Sequence, residues 1–436
     1  MISQAEQNFG GAIVNDFFKT TVASSERREG APWRSLTAVL AMAAMALAAP
    51  VASASAAGSS AQAASGGSGA ARGWKPMYVT IPHAPLDIDM LSRQANAGTT
   101  IPFWTTTVTS PLDGNTYRTS MVGSSPYAPT KRNTSIVYVP IVARIHFANG
   151  VVLDANKSGN CDPQRVSTRF FNSPLFQPTT FISNGVDTSV GATGGTQFVS
   201  AFQRANFWNS VGGTNYGITL TTTAAPIVVD VTAPATGQTL SLTATCRTGN
   251  KTVNLGMMDI NDYDAIVNNL VATYATPTQL PIILTYNFVM FIGNSNNCCV
   301  LGYHNAVPLG TATQTYAVGS VIDPGIFTGV EDMSVWTHEI GEWLDDPFVQ
   351  ASVKGGHADD VTPAWGHTGQ VSGCQNNLEV GDPLSGISFP VAGVAGYHYH
   401  YQDLAFQDWF YRTPSQATGG RYSMHGTFRT VQGACS

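Results

Sequence analysis

Alternating and β-branched runs fill the first half of the folded part of this chain, and they restrict it to architectures built on sheets. "TSIVYVPIVARIHF", "YGITLTTTAAPIVVDVTA" and "TLSLTATC" recur between turn clusters such as "FANG", "ATGGT" and "VGGTNYG". Strands punctuated in this way read as an antiparallel sheet, sandwich or barrel-like domain. The rhythm changes after residue 255. "MDINDYDAIVNNLVATYA" carries Ile260, Tyr263, Val267 and Leu270 at helical spacing, and Pro277 closes it. "PIILTYNFVMFIG" then reads as a buried strand, "VLGYHNAV" and "TQTYAVGSVID" as shorter strands, and Thr328 opens another helix. The expected fold is α+β: an antiparallel, sandwich-like β domain over 74–255, followed by an α+β domain over 256–436.

Composition limits the setting. Hydrophobic residues make up 43% of the chain, enough for a sizeable core, but charged residues only 11%, against about a quarter in ordinary globular proteins. Gly, Thr, Ser and Asn take their place, as in exported β-rich proteins. A net charge of -6 without a run of Lys or Arg offers nucleic acid no cationic surface. Residues 36–51, "LTAVLAMAAMALAAPV", form an apolar run behind Arg27, Arg28 and Arg34 and lead into "ASASAAG", the layout of a signal peptide with cleavage expected near Ala56 or Ala57. About thirty residues precede the run, long for an n-region, so translation is expected to start downstream of Met1. Residues 1–56 are thus read as extension and signal, 57–73 as an Ala/Ser/Gly linker, and the product as secreted or periplasmic with no membrane span after signal removal. Six cysteines, Cys161, Cys246, Cys298, Cys299, Cys374 and Cys435, suit up to three disulfides among fifteen connectivities. Adjacent Cys298 and Cys299 can pair with different partners or with each other.

The chemistry concentrates in "SVWTHEIGEWLDDPF". Thr328 and Glu331 form a capping-box pattern, so a helix is expected from about Gly329, and Pro347 should end it near Asp345. At 100° per residue Met333, Trp336, Ile340, Trp343 and Leu344 share the face that packs on the sheet, with Glu331, Ser334, His338, Glu342 and Asp345 opposite. His338 and Glu342, four apart, project side by side, with Glu339 on the shoulder. A helix presents two metal ligands and a water-activating carboxylate in this way, but a solvated helix face shows the same stripe. Glutamate usage favours the ligands: beyond the signal the chain has four glutamates, Glu331, Glu339, Glu342 and Glu379, and seven of its nine histidines lie from His304 onward.

"HEIGE" resembles the H-E-x-x-H zinc helix of the zincin metallopeptidases, with Glu342 where that family has its second histidine. The resemblance implies metal ligation by His338 and Glu342, Glu339 as general base, Zn²⁺ as cofactor, a peptide or protein substrate, and a third ligand from a downstream segment. Glu379 in "CQNNLEVGDPL" is the candidate by type and order, with Cys374 able to pin its loop. His367, His400 or an aspartate remain alternative donors, with His400 also able to hydrogen-bond an oxyanion. One imidazole with carboxylates is a harder donor set, so Mn²⁺ or Ca²⁺ fits as well, and Asp345 and Asp346 are further oxygen donors. The chain contains no nucleophile elbow, Walker loop or dinucleotide fingerprint. Glu339 and Glu379 as a glycosidase pair would leave His338 without a role. The expected function is a secreted metal-dependent hydrolase, a zinc metallopeptidase. The alternative is a non-catalytic secreted binding or surface protein whose carboxylates hold a structural cation or none.

Overall fold

The 14-residue strand Asn133–His146 is the axis on which the rest of the chain is assembled. Its burial alternates at first and is then unbroken from Tyr138 to Ala143, the mark of a strand with neighbours on both edges and cover on both faces. Along one edge it pairs in parallel with Gln279–Tyr286 and antiparallel with Val152–Asp154. Along the other it pairs in parallel with Gly217–Thr221 and then Ile227–Thr232. Ala312–Val321 adds in parallel to Gln279–Tyr286, and Gly302–Leu309 closes the seven-stranded sheet antiparallel to it. A second sheet orders Asn294–Val300, Phe288–Ile292, Gly249–Asp259 and Gln238–Cys246. The structure, a computed structural model, describes residues 76–77, 86–189, 195–349, 360–366 and 373–435; the expected signal and linker, and His367, lie outside them.

The mixed helix and strand content agrees with an α+β chain, but two parts of the expected layout are corrected. The main sheet is mixed rather than antiparallel, because its long strand recruits parallel partners from far along the chain. Residue 255 is not a boundary: it lies inside strand Gly249–Asp259, and the sheet draws strands from both sides of it. All described residues fall in one unit, 63–436.

Side-chain alternation divides the interior in two. On strand Gln279–Tyr286, Ile282 and Leu284 face one core and Ile283 faces the other, as the two-residue period requires. Helix Ile260–Tyr274, capped by the Asp259 carboxylate on Asn261 N at 2.9 Å, buries Ile260, Tyr263, Val267 and Val271 in the second core. The first core receives helix Ser334–Asp345, whose Trp336 packs where a Cβ on Gly319 would come within 2.9 Å of the indole. Trp343 donates its indole N–H to Thr315 Oγ1 at 3.0 Å. Truncating either fully buried indole would cost about 3–5 kcal/mol.

Helix Ser334–Asp345 starts later than its sequence pattern suggests. Glu331 N donates to Ser334 Oγ at 3.0 Å, so residues 331–333 form a turn and the Thr328 capping box is not used. More consequentially, the polar stripe is not wet. Strands Gly302–Leu309 and Ala312–Val321 lie on one side of the helix, and Thr116–Val122, His398–Gln402 and helix Phe198–Asn206 close the others. Glu339, Glu342 and Asp345 are 5%, 3% and 0% exposed. The three disulfides are Cys161–Cys246, Cys374–Cys435 and the adjacent Cys298–Cys299. Among the described residues, no helix is long and apolar enough to cross a membrane.

Asp345 shows what this burial demands. Its carboxylate accepts from Gln203 Nε2 and from Asn206 Nδ2, but desolvation, with help from the neighbouring Asp346, pushes its pKa up to about 8. An acid whose folded pKa is raised binds more protons folded than unfolded. Its stabilising contribution is complete near pH 4 and is lost as pH climbs to about 8. Asp345→Asn, which can donate to the otherwise unpartnered Gln203 Oε1, is therefore expected to match the parent near pH 4 and to exceed it by on the order of a few kcal/mol at pH 8. Parallel stability profiles in urea unfolding from pH 4 to 8 would count against this account.

Candidate metal centre

Four segments converge above the middle of helix Ser334–Asp345. The helix supplies His338, Glu339 and Glu342; strand Gly302–Leu309 supplies His304; residues 379–382 supply Glu379 and Asp382; strand His398–Gln402 supplies Gln402. Their side chains line a cavity of about 60 Å³, rimmed by Met77, Leu301, Val330, Val335 and Val349. A water needs about 10–15 Å³, so the space admits a few small occupants.

His338 Nε2 lies 3.0 Å from Glu342 Oε1 and 3.5 Å from Asp382 Oδ1. Glu342 Oε1 also accepts from Gly381 N at 3.2 Å. On the far side of the ring, Nδ1 lies 3.0 Å from Gln402 Nε2 and 3.3 Å from Gln402 Oε1, and Gln402 Nε2 also donates to Gly381 O at 2.7 Å. Gln402 is itself tied to the helix, its N–H donating to Thr337 Oγ1 at 3.0 Å. His304 enters from the sheet: Nε2 is 2.8 Å from Asp346 O, and Nδ1 faces Glu339 Oε2 at 3.9 Å and Glu342 Oε2 at 3.8 Å.

The electrostatics follow from four buried carboxylates meeting two imidazoles. Burial opposes a charged His338, yet Glu342, Glu339 and Asp382 outweigh it and push the imidazole up to about 10. Glu342 suffers the same desolvation, but His338 holds it below the usual carboxylate range. Glu339 is raised by burial. Glu379 and Asp382 are raised well above their ordinary values, by desolvation first and then by the neighbouring carboxylates. Removing these charges from water is tolerable only when protons or a cation neutralise them.

Among the described residues, two three-donor groups lie close enough to share an ion: His338, Glu342 and Asp382, and His304, Glu339 and Glu342. Of the residues singled out in the sequence, His338, Glu339 and Glu342 come together as the helical spacing requires. Glu379 lines the same cavity but belongs to neither group; Asp382, three residues later, occupies the third-donor position. His400 is elsewhere, with Nδ1 3.1 Å from Asp332 Oδ2 and 3.2 Å from Glu331 Oε2. Asp345 turns into the core, and Asp346 contributes its carbonyl to His304. Asp382 and His304 were not legible as donors: one sits in a short turn, "GDPL", and the other in a strand that reads as core. Comparison with protein-family models, with curated proteins and with solved structures finds no match.

A glycine makes the His338 position accessible. A Cβ on Gly381 would lie 2.6 Å from the imidazole Cγ and Nδ1, while the backbone there, φ -84° and ψ -35°, suits alanine. Gly381→Ala should therefore disturb only the ring. In the cation-free protein, imidazole NMR is expected to find His338 titrating at about 10, and the alanine variant to return toward the ordinary imidazole range. A parent His338 that titrates like a free histidine would contradict this geometry.

Proposed function

We propose that the protein is a metal-dependent hydrolase, a divergent zincin-like metallopeptidase acting outside the cytoplasm. The observation that carries this reading is the group His338 Nε2, Glu342 Oε1 and Asp382 Oδ1, the imidazole half-buried and lying 3.0 and 3.5 Å from the two buried carboxylates. Ligands bound to zinc at 2.0–2.2 Å in a tetrahedron sit roughly 3.3–3.6 Å apart. The fit has a further support: Asp382 is 3% exposed and its Oδ2 has no hydrogen-bond partner, a cost that a cation beside it would offset. One imidazole with two carboxylates suits Zn²⁺ or Mn²⁺.

In this reading Asp382 takes the third-ligand part, and the Gln402 amide against Nδ1 holds the orientation of His338 as an outer partner does for a ligating imidazole. When bound, the cation supplies Lewis-acid polarisation of a carbonyl and a lowered water pKa. Glu339, one residue beyond His338, accepts the proton of the attacking water. The apolar rim keeps bulk water away and strengthens each charge interaction inside.

A peptide substrate is favoured by how the chain treats its own backbone. Met77, which lines the cavity, donates its backbone N–H to Cys299 O at 2.8 Å. Cys299 belongs to Asn294–Val300, the end strand of the four-stranded sheet. Extended peptide laid on a sheet edge is a common mode of recognition, and here it brings an amide chain beside the carboxylates.

With the full chain loaded with Zn²⁺, His338→Ala is expected to lose the cation held at that residue. Glu339→Gln should keep that cation while peptide hydrolysis falls by about 10²–10⁴. Elemental analysis and a fluorogenic peptide library read the two effects separately. A parent chain that retains no transition metal after loading overturns the proposal.

A further inference from the structure

We infer that the cavity holds two cations rather than one, with the Glu342 carboxylate bridging them. The inference rests on the metal-dependent reading above and adds a second site between His304 Nδ1, Glu339 Oε2 and Glu342 Oε2.

The division of Glu342 is the first ground. Its Oε1 faces His338 and Gly381 N, and its Oε2 faces His304. A carboxylate whose two oxygens each belong to a different donor group has the arrangement of a bridging ligand, and two-metal sites hold their ions about 3.5–4 Å apart.

His304 is the second and independent ground. A carbonyl only accepts, so the 2.8 Å contact of Nε2 with Asp346 O places a proton on Nε2. In the neutral ring Nδ1 is then a lone pair, aimed at two carboxylate oxygens 3.9 and 3.8 Å away. These distances are longer than a good hydrogen bond and leave a gap between the ring and the two carboxylates. A cation in this gap would have Nδ1 and the two carboxylates as ligands, and a ligating histidine normally donates its other N–H to a carbonyl or carboxylate, as this one does. The ring is 6% exposed, so an unpartnered Nδ1 would be costly.

Donor number and space agree. The cavity is lined by Glu339, Glu342, Glu379 and Asp382, and by His304 and His338. Four carboxylates and two imidazoles around one small cavity are donors enough for more than one cation. The 60 Å³ of space accepts two ions and water at about 10–15 Å³ per water-sized occupant. Glu339's place above the sheet depends on Gly302, where a Cβ would lie 2.6 Å from its Oε1.

The test is the stoichiometry and magnetism of Mn²⁺ bound to the full chain. The parent should retain about two equivalents and give an exchange-coupled electron paramagnetic resonance spectrum. His304→Gln keeps a donor for Asp346 O but lacks Nδ1, and Glu339→Gln keeps the side-chain shape. Each should fall to about one equivalent with an uncoupled six-line signal. Asp382→Asn should lose the other ion. One uncoupled equivalent in the parent overturns this inference and leaves the hydrolase reading standing. Two equivalents that survive both His304→Gln and Glu339→Gln also overturn it, placing the second ion elsewhere. No retained Mn²⁺ or Zn²⁺ overturns both.

Discussion

Everything about the candidate centre depends on the enclosure of one helix. Ser334–Asp345 has no solvated side: sheet strands lie beneath it, and a strand hairpin, a strand from residues 116–122 and helix Phe198–Asn206 cover the rest. Three carboxylates on such a helix cannot be left to water, and each meets a different compensation. Asp345 is held by amide donors and a raised pKa. Glu342 is held by His338 and a backbone N–H. Glu339 has its closest ion-pair partner, His304 Nδ1, 3.9 Å away. That graded satisfaction separates structural burial from a chemically reactive place: a polar group with a good partner stabilises the fold, and one without a partner awaits a ligand.

Much of this helix was legible in the sequence, and one aspect was not. Its end near Asp345 and the pairing of His338 with Glu342 follow from Pro347 and from the 3.6-residue period. Whether the polar stripe was wet or buried did not follow, because both conditions produce the same spacing; the answer lay in segments both upstream and downstream of the helix, some more than a hundred residues away. The same limit explains the mistaken boundary at 255. Residues on either side of it change rhythm, but strand Asn133–His146 selects Gln279–Tyr286 as neighbour, and no local pattern encodes the choice of a distant parallel partner. His304 and Asp382 were hidden for a related reason: a strand histidine and a turn aspartate become donors only when the fold brings them over the helix.

The C-terminal contributors share a common anchorage. Glu379, Asp382 and Gln402 all lie inside the loop closed by Cys374–Cys435, with a sequence separation of 61. Just after Gln402, the buried Asp403 accepts from Ser423 Oγ at 2.9 Å and from His425 N at 2.7 Å. The strand end that orients His338 is therefore fixed from behind. Glycines do the complementary work in front: Gly302 and Gly381 leave room for Glu339 and His338. A donor set spread over four segments keeps its spacing because each segment is fixed by contacts outside the cavity.

The strand Asn133–His146 carries a further consequence, for the order in which the chain can acquire structure. Its parallel neighbours extend to Gln279–Tyr286, and through that strand to Ala312–Val321. Pairings of such sequence separation form late, since the loop entropy must be overcome before any contact compensates it. During synthesis the axial strand has no complete sheet to join until residue 321 has emerged. Until then its apolar face is available to chaperones, so the topology itself delays commitment until most of the polypeptide exists.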